Sequence, residues 1–280
     1  MTTLVMTQHR SSGLSASVTR ISALLLRYVF LHRRNLIRAF DIFFWPVMDL
    51  LIWGFLTLYI QQNAVGSIAQ FIIFLIGALI AWDIHYRGQQ AITISLMEEI
   101  WTRNITNMLI APIRLWEWLT ASFLYGLIKV SLVTLILAGV AKLLYAFDLA
   151  RVGWAFVPLV ANLLIFGWAI GMATSGLLLR FGYAAEALIW GIPFLLQPFS
   201  CVFYPLSILP RWAQVIARGL PSTYAFEALR AAVHGEPVRW MVWGIIVGLN
   251  SVYMAVGLGL FMWMFRQARA TGRLGRLGQD

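Results

Sequence analysis

Apolar runs about 20 residues long recur along this chain, which is the length a helix needs to cross the hydrocarbon core of a bilayer. A membrane-spanning barrel would instead alternate over segments of about ten residues, so the runs predict helices. They mark six spans, at roughly 43–62, 68–87, 119–141, 152–178, 185–204 and 238–265. Hydrophobic residues make up 61% of the 280 and charged residues 11%, with a mean hydropathy of +0.80. No soluble domain of this length tolerates that balance. The expected fold class is an all-α integral membrane protein.

Basic residues set the expected orientation. With the N-terminus inside, fourteen arginines fall on inner segments, six basic residues fall on outer ones, and the short outer loop 61–67 carries no charge. Both termini are therefore expected in the cytoplasm, with 266–280 as a basic tail. The net charge of +10 then belongs to topology and contact with anionic lipid, not to nucleic acid. Near the N-terminus, the polar stretch Thr7 to Ser17 lacks the pattern of a cleavable signal. Within the leading segment 1–42, residues 16–40 read as one basic amphipathic helix. Ile21, Leu24, Leu25, Tyr28, Leu31 and Leu36 lie along one face, and Arg20, Arg27, Arg34 and Arg38 mark the other. Such a helix lies in the interface plane, as an anchor or as part of a docking surface.

Two connecting segments carry more information than the spans. Residues 89–118 are helical in character as far as Ile110. Pro112 then ends that helix, because a residue before proline is pushed out of the helical region. Held by a span at each end, the stretch Glu98, Glu99, Arg103, Asn104, Ile105, Met108, Ala111, Pro112 is a lever on which a soluble partner could push. Residues 199–234 are broken by Pro205, Pro210 and Pro221. The backbone groups freed there need protein or water as partners, so the segment is expected to be buried or to line a wet cavity. Arg211 to Gly219 and Ser222 to Val233 read as two short amphipathic helices, with Ser222 as N-cap of the second. Glu227 and Arg230, three apart, are placed to pair.

In these two segments the chain resembles the permease subunit of type-2 ABC exporters. An acidic-rich helix leading to a small residue and proline matches Glu98, Glu99, Asn104, Leu109, Ala111 and Pro112. A proline-broken outer segment ending in Pro-x-x-Tyr-x-x-Glu-x-x-Arg matches Tyr204, Pro205, Leu209, Pro210, Pro221, Tyr224, Glu227 and Arg230. Leu220 departs from the pattern, which has Asn there. The resemblance implies an ATP-driven exporter in the inner membrane of a prokaryote. It also implies pairing with a second permease copy or homologue and with separate cytoplasmic ABC ATPase subunits. No phosphate loop occurs in this chain, so ATP and Mg would sit on those partners and this subunit would not itself be an enzyme. Polysaccharides, lipids, peptides and drugs all remain open as cargo.

Charges inside the spans are costly, so Asp49 and Lys129 should face protein or water, either as a pair or as part of the path. Asp83 and Arg87 are spaced for a local helical pair. Gly167-x-x-x-Gly171 and Gly244-x-x-x-Gly248 permit close helix contact, internally first and at a dimer face second. Tryptophans near span ends read as interfacial anchors, and aromatics on the first and fifth spans could instead line a slide for sugars or amphipathic drugs. The four histidines are scattered and Cys201 is the single cysteine, so no metal site is expected. A membrane-embedded transferase or protease lacks converging catalytic groups here. An ion-coupled transporter would show inverted repeats and midplane carboxylates, and neither is seen.

Overall fold

The computed structural model describes residues 13–33, 36–63, 69–147 and 156–272. They form ten α-helices: α1 (Leu14–Arg33), α2 (Leu36–Asn63), α3 (Ala69–Trp101), α4 (Ile105–Ile110), α5 (Leu115–Tyr145), α6 (Phe156–Phe181), α7 (Ala187–Leu196), α8 (Arg211–Arg218), α9 (Pro221–Val233) and α10 (Trp240–Ala270). No strand occurs among the described residues. Among the described residues, five stretches are long and apolar enough to cross a membrane: Leu14–Leu31, Ile42–Ile60, Leu115–Tyr145, Phe156–Ala185 and Trp240–Ala270. The 33 residues of α3 span about 50 Å at 1.5 Å per residue, more than a bilayer core requires.

At the centre α6 packs between α3 and α10, and small residues set how closely. A Cβ on Gly167 would lie 2.5 Å from the His85 carbonyl oxygen, and one on Gly171 would lie 2.6 Å from that of Gln89. The first glycine pair thus joins α6 to α3 inside the protein, while Gly244 and Gly248 on α10 face open space. The tight contact of α10 is instead at Gly257, whose added Cβ would meet the Ala169 carbonyl oxygen at 2.3 Å. Helices lacking a solvent-driven force between them rely on such close approach for van der Waals contact.

Several boundaries differ from the sequence reading. Of the helix read over 16–40, α1 covers the part up to Arg33 and α2 the part from Leu36, and 34–35 lie outside the described residues. The helix read as continuous to Ile110 stops at Trp101 and resumes as α4. Arg103 adopts a left-handed conformation with φ 53°. Its N–H donates to the Ile100 carbonyl at 3.0 Å, and that of Asn104 to the Glu99 carbonyl at 2.8 Å. That is a Schellman cap built on arginine, and without the usual glycine it leaves no mark in the sequence. Pro112 acts as read: Ala111 is extended, with φ −63° and ψ 147°.

The fifth span, read at 185–204, is not a full-length helix. α7 has ten residues, contains Pro193, and passes into the 3-10 turn Gln197–Ser200 before Cys201 turns left-handed at φ 55°. Ala187–Ser200 covers only about 21 Å at helical rise, short of the roughly 30 Å of a bilayer core. Ser222 does not cap α9. Leu220 occupies that position with Pro221 first in the helix, where proline's missing N–H costs nothing, and the Ser222 hydroxyl bonds Ser200 Oγ at 2.8 Å.

Candidate functional site

At one end of the bundle, two arginines of α1 grip two buried carboxylates. Arg20 and Arg27 are seven apart, two helical turns on one face. Arg27 holds Glu99 in the last turn of α3 through both Nη atoms, Nη2 donating to Oε2 at 2.7 Å. Asn104 Nδ2 donates to the same Oε2 at 2.7 Å. Arg20 donates to Glu117 in the first turn of α5 from Nη2 at 2.7 Å and from Nε at 2.9 Å. Glu117 in turn accepts the Arg114 backbone N–H at 2.8 Å, so one carboxylate both caps α5 and anchors α1. Both carboxylates are wholly buried, and bidentate arginine is the partner suited to that setting. The sequence reading put Arg20 and Arg27 on a polar face and missed Glu117; the seven-residue spacing of the arginines was the available signal.

Between these anchors lies α4. Ile105 is buried and Met108 half-buried, both turned toward the protein, whereas Thr106, Asn107 and Ile110 face outward, Ile110 at 79% exposure. Within the stretch read as a lever, Met108 therefore packs inward, and Ile110 is an exposed apolar group of α4. Arg103 and Pro112 are exposed beside it. Two cavities flank the helix. One of about 540 Å³ lies against the starts and ends of α5, α6 and α10, and one of about 350 Å³ lies against α1.

At the opposite end, the proline-broken segment folds back as α8 and α9. Side chains satisfy the backbone that the breaks release. Glu227 Oε1 accepts Arg230 Nη1 at 2.7 Å and the Leu206 backbone N–H at 2.9 Å. Arg230 Nη2 donates to the Cys201 carbonyl at 3.2 Å, and its guanidinium lies 4.3 Å from the centre of the Phe74 ring. Tyr204 donates to the Pro198 carbonyl at 2.7 Å and Tyr224 to the Arg218 carbonyl at 3.0 Å. Ser222, Thr223, Ala225 and Phe226 are buried. The expected Glu227–Arg230 pair is present, although Glu227 is 37% exposed and so is less desolvated than expected.

Asp49 and Lys129 do not pair. The Lys129 ammonium lies 4.6 Å from the centre of the Tyr125 ring. Asp49 is exposed on α2 in a stripe with Trp45, Ile52, Leu56 and Tyr59, at offsets of four, seven, eleven and fourteen residues along one helical face. Also on α2, Trp53 stacks on Phe203 at 5.2 Å, which sets the start of the broken segment beside this helix. Asp83 and Arg87 pair within α3 at 2.7 Å, as their spacing predicts.

Compared with known families, residues 22–234 match the family model described as ABC-2 type transporter. The match takes in α4, Arg27, Glu99, Glu117 and the whole proline-broken segment, and begins two residues after Arg20. No curated protein matches the chain.

Proposed function

We propose, for a chain that belongs to the ABC-2 type transporter family and is an integral-membrane transport component of an ABC transporter, that it exports cargo using ATP hydrolysed on a separate ATPase subunit. Docking falls to the outward face of α4, namely Thr106, Asn107 and Ile110 with Arg103 and Pro112. The single observation that carries this reading is the clamp beneath it. Glu99 with Arg27 and Glu117 with Arg20 tie α4's neighbours α1, α3 and α5 together, so force on α4 reaches the spans instead of being lost in a soft loop. ATP and Mg are held by the partner. In this reading the α4 end and both termini are cytoplasmic, in the inner membrane of a prokaryote.

A second copy or homologue supplies the other wall of the path. Asp49 supports this: a carboxylate in the middle of an exposed apolar stripe cannot face hydrocarbon without a cost of several kcal/mol. The stripe is therefore assigned to a partner permease or to the water-filled path between the two. Tyr204, Pro205, Pro210, Pro221, Tyr224, Glu227 and Arg230 form a re-entrant cap at the outer end of that path.

Co-expression with the cognate ATPase tests the docking face. Ile110→Asp should abolish co-purification of the ATPase while the permease still inserts and keeps its thermal stability. Normal co-purification and transport by this variant would remove α4 from the docking role.

A further inference from the structure

The larger cavity beside α4 is chemically two-sided. Its inner wall is apolar and aromatic, formed by Trp118, Phe261, Leu179 and Met108, and its rim carries Arg114 and Arg269. Trp118 and Phe261 stack at 6.0 Å, so that wall is preformed. Both arginines are exposed, and neither makes an ion pair among the described residues. This contrasts with Arg20 and Arg27 on the other side of α4, whose charges are taken up by Glu117 and Glu99. No carboxylate lines the cavity. Its position also matters: α5 begins at Leu115, α6 ends at Phe181 and α10 ends at Ala270, so the rim sits where three apolar helices of membrane-spanning length end at the same end of the bundle. Helices of that length end near the headgroup region of a bilayer they cross.

We propose that this cavity is a binding site for one anionic phospholipid. Its phosphate would lie between Arg114 and Arg269, and one acyl chain would run over Trp118 and Phe261 behind α4. Two unneutralised arginines at a rim attract an anion, while an apolar volume of about 540 Å³ selects one that carries a hydrocarbon chain. A free phosphate satisfies only the rim. A docking partner protein would use the outward face of α4, whereas the cavity opens behind it. The lipid would wedge the inward side chains of α4, Ile105 and Met108, and so set the resting position of that helix. The site stands whether or not α4 docks an ATPase.

The full-length chain, purified in detergent and delipidated, is titrated with dioleoylphosphatidylglycerol or dioleoylphosphatidylcholine and read by native mass spectrometry. The wild type should hold the anionic lipid at least about tenfold more tightly. That preference should vanish in R114Q/R269Q, persist largely in R114K/R269K, and be untouched in R211Q/R239Q, which removes two exposed arginines elsewhere. Should the double variant fail to purify, R114Q and R269Q are read singly, and each should lose part of the preference. The proposal is overturned by unchanged preference in R114Q/R269Q or in both single variants. Equal loss in R211Q/R239Q, or displacement of the lipid by equimolar glycerol phosphate, overturns it too. A photo-crosslinker at Phe265 in the assembled transporter should capture lipid; capture of the ATPase chain instead would assign the cavity to that partner.

Discussion

Arg27 of α1 and Glu99 of α3 meet through a forked contact 72 residues apart in sequence, and Asn104 closes the third side of the same carboxylate. That contact joins a helix with little buried surface to the end of a central one. Arg27→Ala should therefore leave Glu99 buried and unpaired, costing about 3–5 kcal/mol. Thermal unfolding in detergent should show the loss, and Glu99→Gln in the same chain should recover much of it. An unchanged melting temperature in Arg27→Ala would mean that α1 is not held by this pair.

Glycine position should matter more than glycine spacing. Gly257→Val places a side chain where a Cβ already meets the Ala169 carbonyl oxygen at 2.3 Å. Separating α10 from α6 to admit it costs about 1–3 kcal/mol or more. Gly244→Ala and Gly248→Ala meet nothing and should be neutral or slightly stabilising in an isolated protomer. Equal destabilisation by all three in thermal unfolding would contradict the packing described.

Glu227→Ala removes the acceptor for both Arg230 and the Leu206 N–H. Because Glu227 is partly exposed, the expected cost is about 1–3 kcal/mol, less than for a fully buried pair. Exchanging the two charges should restore the ion pair but not the bond to Leu206, so recovery should be partial in both thermal stability and transport. Full recovery would show that the backbone contact contributes nothing.

Asp49 gives a test of what covers the α2 stripe. In a Cys201→Ser background, a charged, membrane-impermeant thiol reagent should modify Asp49→Cys in the assembled transporter much faster than Leu135→Cys. Leu135 is also exposed in the protomer, at 70%, but lies on α5. Equal, slow reaction at both positions would place the stripe against lipid or dry protein and remove Asp49 from the path.

How far the sequence alone reached is clearest at the two ends of the bundle. Helical class, membrane insertion, the family, the stop before Pro112 and the pairing of Glu227 with Arg230 were all legible. Each follows from local chemistry: run length, a proline's effect on its neighbour, or two charges one helical turn apart. What tertiary structure decided lies between elements distant in the chain. It directed Arg20 and Arg27 onto Glu117 and Glu99, and turned Met108 inward with Ile110 out. It set Gly257, and neither glycine of the second spaced pair, against another helix. It left Asp49 on an open face without Lys129. It shortened the fifth span, since the left-handed turn at Cys201 is stabilised by Arg230, 29 residues further on. The physical reason is common to all of these. A helical pattern states which residues share a face, but the partner of that face depends on how whole helices approach, and small-residue contacts and buried charges set that approach jointly.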